Sequence, residues 1–347
     1  MSVAALAIAW VRQYTPARMC AEAMSLVIPG RDCAATIRLC LDAVVPLLGR
    51  PEAHLGEIIF VDDGSRDETA AIVQDYPVTR LRSAGQGSAA ARNVGWRAAA
   101  HPLIWFVDSD CVAEPEAPAL LWRHFADPGV GGAGGSYGIM NPRSLLARLV
   151  HEEIIQRHLA MPGRVNFLAG FNCVYRRSVL EEVGGYNERF YRAQDADLAY
   201  RVVEAGHELA FDIESRVRHF HPAVWRRYLR KQAGQGYHRV ALHLAHRGHT
   251  TADSYSGLLD HVQPPVAVLL LLALPLAFLP GGGWVPLAFA ALLLVAQVPL
   301  TWRITRRTGR LECLAFAGMS FVRALYRGVG MTGGVLAVVV RGLRLRN

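Results

Sequence analysis

Between residues 25 and 222, short apolar runs alternate with stretches of helical spacing. Ser25–Ile28, Glu57–Val61, Thr79–Arg82 and Leu103–Val107 are short and give way to Pro, Gly or Asp, as strands do. Ala34–Leu48, Thr69–Asp75, Ser88–Ala100 and Glu116–Phe125 read as helices. This alternation predicts an α/β fold, a parallel sheet with helices on both faces. Ligands bind such sheets beyond the carboxyl ends of strands, so polar groups just after strands carry most weight. The run Gly129–Gly138 predicts loop or an irregular strand.

Past Pro222 the pattern changes. Residues 225–250 interleave Arg and His with Trp225, Tyr228, Leu229, Tyr237 and Leu242, a basic helix of the kind that lies on a membrane surface. Pro264–Leu279 and Val285–Trp302 are almost purely apolar and are joined by Gly281-Gly282-Gly283. Each is slightly short of a full span, but together they predict a transmembrane helical hairpin. Arg226, Arg227, Arg230 and Lys231 precede it, and Arg303, Arg306, Arg307 and Arg310 follow it, so both ends are expected in the cytoplasm. Leu311–Val340 predicts an interfacial helix and a short apolar segment, with a third span near 329–340 as the alternative. The expected division is a 1–23 extension (with Met24 as an alternative start), a 24–222 α/β domain, interfacial helices over 223–262, the hairpin over 263–303, and a helix and basic tail over 304–347.

Composition adds two points. Hydrophobic residues make up 52% of the 347 and charged ones 19%, which excludes a disordered or fibrous chain. The 37 basic residues outnumber 29 acidic ones, but Lys231 is the sole lysine, so the arginine count reads as base composition. The basic residues cluster beside the hairpin, which argues against a nucleic-acid partner. The six cysteines have no metal-like spacing and read as buried thiols.

Four polar groups stand out at the ends of these elements. Asp62-Asp63-Gly64-Ser65 follows Glu57–Val61, and its carboxylates can accept from a base or ribose; Ser65 or Asp67 can instead cap the helix from Thr69. Asp108-Ser109-Asp110 follows Leu103–Val107 and gathers hard oxygen ligands suited to Mg²⁺ or Mn²⁺ with a diphosphate. Asp195 precedes a helix predicted over Leu198–Ala205, as a cap or a general base. Arg216–Phe220 reads as extended, which puts His219 and His221 on one face. Gly85-Gln86-Gly87-Ser88-Ala89-Ala90 matches a dinucleotide fingerprint. It does not sit at the first strand–helix turn, so no dinucleotide site is read there.

In order, these segments resemble the family 2 glycosyltransferases with the GT-A fold. The carrying residues are Ser25–Pro29, Ile59–Ser65, Ala91–Gly95, Phe106–Asp110, Gly170–Arg177, Val183–Glu188 and Gln194–Leu198. The resemblance implies a mixed, mostly parallel sheet and inverting transfer of a single sugar from a nucleotide-diphosphate sugar. Pro29, Arg31, Asp62 and Asp63 would hold the nucleotide, with Arg92 and Asn93 nearby. Asp108 would contact the donor and, with Asp110 and His219, a divalent cation (Mn²⁺ or Mg²⁺); His221 is the rival to His219. Gly170, Asn172 and Gln194 would line the donor–acceptor loop, and Asp195 would be the base.

The chain departs from the family in reading Pro29-Gly30-Arg31-Asp32 after the first strand, and Gln194 where an acid is common. It also lacks the Gln-x-x-Arg-Trp motif of processive synthases. The expected acceptor is a membrane lipid, a polyprenyl-linked glycan or a surface polysaccharide. The expected place is a bacterial inner membrane with the catalytic domain in the cytoplasm, near other glycan-assembly enzymes. The alternatives are a catalytically silent sugar-nucleotide scaffold and a sugar nucleotidyltransferase.

Overall fold

The computed structural model describes residues 23–190, 192–246 and 253–344. Residues 1–22 of the expected 1–23 extension lie outside the described residues. Two compact units are present. The first runs to Gly138 and resumes over Pro162–His219; the second holds Ile139–Met161 and the residues from Phe220 onward.

The first unit opens with β1 (Met24–Gly30), α1 (Ile37–Val44), β2 (Leu55–Asp62), α2 (Thr69–Val73), β3 (Thr79–Arg82), α3 (Ser88–Ala98) and β4 (Leu103–Val107). It continues through β5 (Cys111–Ala113), α4 (Ala117–Trp122) and β6 (Val130–Ile139). After α5 (Leu145–His158), which belongs to the second unit, come β7 (Arg164–Val165), β8 (Asn172–Arg176), α6 (Arg177–Val183), α7 (Gln194–Glu204) and β9 (Glu208–His219).

The strands form one mixed sheet in the order β3-β2-β1-β4-β8-β6-β9-β5, with β7 beside β9. It is parallel from β3 to β4 and antiparallel where β8 joins β4 and β6. β1 and β4 are buried at every residue because helices cover both faces, which explains their continuous apolar runs. Pro29 is tolerated in this central strand because β1 pairs with β4 only as far as Val27, leaving no ladder bond for a proline to break on that side.

The Gly129–Gly138 run is not a loop: Val130–Ile139 is a ten-residue strand. Crowding explains its glycines. A Cβ on Gly132 would sit 2.7 Å from the Tyr175 ring, one on Gly134 2.7 Å from Leu168, and one on Gly135 2.3 Å from the Ser215 carbonyl oxygen.

The second unit is helical: α5, α8 (Trp225–Ala245), α9 (Leu258–Ala273), α10 (Trp284–Thr308) and α11 (Ala315–Arg344). α9 with its following turn (Leu258–Phe278) and α10 are long and apolar enough to cross a membrane. Only 17% and 22% of their apolar windows are buried, unlike the core helices of a soluble protein, so both are candidate membrane spans. The segment from 315 is one continuous helix rather than two pieces.

α8 and α11 approach backbone to backbone. A Cβ on Gly330 would lie 1.9 Å from the Ala233 carbonyl oxygen, and one on Gly236 2.1 Å from that of Arg327. Gly330→Val is therefore expected to destabilise the helical unit by about 3 kcal/mol or more. Gly318→Ala meets open space and should leave the melting temperature unchanged or slightly raised. Thermal unfolding of both variants in detergent checks this.

α5, α9 and α11 share a buried ion network. Glu153 pairs with Arg323 and, at 2.8 Å, with Arg157, which also holds Asp260 at 2.7 Å. Against the cost of burial, Arg323 and Arg157 hold the Glu153 carboxyl down at about 2. Burial lowers the nearby His158 to about 3. Both groups bind protons more readily when unfolded, so both withdraw stability as pH falls. His158's part is lost from about 6.5 downward to 3, and Glu153's from about 4.5 to 2. The melting temperature should therefore drop between pH 7 and pH 4, and His158→Phe should flatten the upper part of that drop.

Candidate active site

The acidic turn after β2 divides its two carboxylates. Asp62 Oδ1 accepts from the Ser65 amide at 2.8 Å, which shapes the turn. Asp63 is buried; it accepts from the Ser83 hydroxyl and, at 2.9 Å, from the Gly87 amide. The glycine-rich turn is thus drawn onto Asp63, with Gly85 at φ +73° and Gly87 at φ +104°, conformations that favour glycine. Its amide serves a carboxylate of this chain, which accounts for the fingerprint match without a dinucleotide. Arg31 is exposed and lies 3.8 Å from the Asp32 carboxylate. Its guanidinium would be 4.0 Å from a Cβ on Gly85, so it flanks the same turn. Asp67, not Ser65, serves the start of α2, accepting from the Thr69 amide at 3.0 Å.

The second cluster centres on Gly170. Arg92, on α3, is buried and donates from Nη2 to Asp108 Oδ1 at 2.5 Å and to the Gly170 carbonyl at 3.4 Å. Burial disfavours the guanidinium charge, but Asp108 outweighs it and Arg92 stays cationic. The Tyr186 ring lies 5.4 Å from the guanidinium, and Nε and Nη1 have no hydrogen-bond partner among the described residues. The Gly170 amide donates to Asp195 Oδ2 at 3.4 Å. One residue thus links the turn after β4 to the start of α7.

That helix begins at Gln194, four residues earlier than the sequence predicts, so Asp195 and Asp197 lie in its first turn. Ala193 enters it at φ +63°, a left-handed conformation unusual for alanine, and Asp195 Oδ1 accepts from the Ala196 amide at 3.0 Å. Gln194 donates to the Ser88 hydroxyl at 2.6 Å, tying the starts of α7 and α3 together. Asp197 is not free for substrate, because it pairs with Arg201 at 2.7 Å.

At the end of β9, His219 Nε2 lies 3.1 Å from Asp110 Oδ2. The pairing follows from the sheet, since β5 and β9 place Cys111 opposite His219. Tyr137 stacks on Phe171 at 3.4 Å between centroids and lies 5.2 Å from the His219 ring. The sequence pattern concealed Tyr137, which sits inside the glycine run.

Three expectations are corrected. Asn93 is buried and its amide is fully engaged: it donates to the Tyr186 carbonyl and Glu188, and accepts from Trp96 and the Tyr186 amide at 2.7–2.9 Å. It holds the 185–188 loop and has nothing left for a nucleotide. Asn172 is likewise buried, between Trp105 and Ser215, and does not line a ligand loop. His221 does not continue the His219 face, because β9 ends at His219; His221 bonds Asn141 and lies 3.2 Å from His151.

Among the described residues no three His, Cys, Asp or Glu side chains form a ready metal cluster. Asp110 and His219 make a two-ligand half-site beside Asp108. That donor set fits a divalent cation whose remaining ligands are diphosphate oxygens and water, the usual way Mg²⁺ and Mn²⁺ are shared with phosphorylated substrates.

The acidic turns thus lie at the carboxyl edge of the sheet, where α/β folds bind their ligands. Residues 25–184 match the family described as "Glycosyl transferase family 2" and are a family 2 glycosyltransferase domain. The chain is 28% identical over 226 residues to the probable glycosyltransferase YdaM of Bacillus subtilis, covering 60% of this chain and 53% of that one. It is 27% identical over 254 residues to the pre-mycofactocin glycosyltransferase of Mycobacterium tuberculosis H37Rv, covering 67% and 50%. It is also 26% identical over 212 residues to the O-antigen chain rhamnosyltransferase RfbN of Salmonella typhimurium, covering 57% and 66%. The chain thus spans about half the length of the first two relatives. Its fold resembles that of a mannosyltransferase from Pyrobaculum calidifontis solved with GDP-Man and Mn²⁺, with a TM-score of 0.57, 20% identity and 96% of each chain covered.

Proposed function

We propose that this chain transfers one sugar, with inversion, from a nucleotide-diphosphate sugar to a lipid-borne acceptor at a bacterial inner membrane. The observation that carries this is the Gly170 cluster. It joins a carboxylate at a helix start, Asp195, to the Arg92–Asp108 pair through one residue.

Asp63 and Arg31 flank the nucleotide. Arg92 fixes Asp108 by donating to its Oδ1, and its buried positive charge favours an anionic donor beside it. Asp110 and His219 would hold the divalent cation, which would supply Lewis-acid stabilisation of the leaving diphosphate. Asp195 takes the proton from the acceptor hydroxyl as its oxygen attacks the anomeric carbon on the face opposite the diphosphate. Inversion by single displacement is what the family resemblance implies, and Asp195 as the one base fits it.

The two candidate spans and the bacterial envelope relatives support a lipid-borne acceptor and a cytoplasmic catalytic face. The test incubates the full chain with Mn²⁺, labelled UDP-, GDP- and dTDP-sugars and total bacterial lipid. Label in the organic phase is expected for one nucleotide class. Label only in water-soluble product would contradict the lipid acceptor.

A further inference from the structure

Within the helical unit, several arginines are held by carboxylates. Arg148 pairs with Glu312 at 2.6 Å, Arg307 with Glu152 at 2.5 Å, Arg157 with Asp260, Arg323 with Glu153, and Arg239 with Asp253 at 3.4 Å. Of the other cations, six form two groups. Arg226, Arg227, Arg230 and Lys231 on α8, and Arg303 and Arg306 on α10, are exposed and have no ion pair or hydrogen bond among the described residues.

These two groups are some seventy residues apart in sequence but flank one apolar cluster. Tyr228 of α8 and Ile304 of α10 pack together in it with Leu146, Leu149, Phe316 and Met319. Glu152 and Glu312 are already paired, and no carboxylate among the described residues pairs with these six cations. Each group also carries an exposed tryptophan, Trp225 at 46% and Trp302 at 62%. Trp302 continues the exposed apolar face of α10, through Val295 and Val298, into the basic run.

We propose that this patch is a headgroup collar that selects an anionic bilayer surface. Tryptophans settle at the headgroup level, and cations placed there are each worth roughly fivefold in preference for anionic lipid. Charge complementarity and continuity with the apolar face of α10 point to lipid phosphodiesters rather than to an acidic protein or nucleic acid, whose docking would leave that apolar face uncovered. The proposal rests on reading α9 and α10 as membrane spans and is independent of the transferase reading.

The test is native mass spectrometry of the full chain, released from neutral detergent with equimolar phosphatidylglycerol and phosphatidylcholine. At least tenfold more bound phosphatidylglycerol is expected. R226Q/R227Q/R303Q/R306Q should bring the ratio below about twofold with little change in melting temperature, since exposed substitutions rarely shift it. R80Q/R82Q, on exposed β3 of the other unit, should leave the ratio unchanged. Equal binding of both lipids by the wild type would overturn the collar while leaving the spans intact. Absence of any bound lipid would overturn the membrane reading beneath it. Displacement of the lipid by millimolar inorganic phosphate, or an equal loss in R80Q/R82Q, would also overturn the proposal.

Discussion

Asp195→Asn is expected to bind the donor as tightly as the wild type and to transfer sugar about 10³- to 10⁴-fold more slowly, the range for losing a positioned general base. The change is nearly isosteric. The asparagine Oδ1 can still accept from the Ala196 amide, as Asp195 does at 3.0 Å, so the start of α7 keeps its shape. What is lost is the capacity to take a proton, together with the long 3.4 Å bond that Oδ2 accepts from the Gly170 amide. Equilibrium binding beside single-turnover kinetics separates the two effects. A loss confined to donor affinity would place Asp195 in donor recognition, and unimpaired turnover would remove it from the chemistry.

Asp110→Ala is expected to abolish the cation dependence of donor binding and to weaken that binding by at least tenfold. Its Oδ2 lies 3.1 Å from His219 Nε2, and among the described residues no three His, Cys, Asp or Glu side chains form a ready metal cluster without it. His219→Ala should weaken Mn²⁺ dependence less, because a carboxylate remains. Asp63→Ala should act differently. It frees the Gly87 amide and the Ser83 hydroxyl, so donor affinity falls with or without metal. Calorimetry of the three variants, with and without Mn²⁺, distinguishes a metal ligand from a nucleotide contact.

Much of the sheet is legible in the sequence because its parallel strands are buried on both faces. Leu103–Val107 reads as five consecutive apolar residues and is a strand over those residues. The β6 strand is not legible, because its residues were chosen for the space that Tyr175, Leu168 and Ser215 leave, a constraint set by strands distant in sequence. For the same reason Tyr137 escaped notice. Asp108, Asp110 and Asp195 could be singled out because acids after strands and at helix starts carry a local signal. The engagement of Asn93 and Asn172 could not, since each amide is consumed by partners many residues away. His221 misled through simple alternation, which holds only while the strand continues. The start of α7 at Gln194 depends on a left-handed alanine, which no helix-start rule anticipates.

The most direct measurement is calorimetric binding of UDP-, GDP- and dTDP-sugars to the detergent-solubilised chain, with and without Mn²⁺. The account predicts tight binding of one nucleotide class that depends on Mn²⁺ and is lost in Asp110→Ala. No binding of any donor by demonstrably folded protein would contradict it.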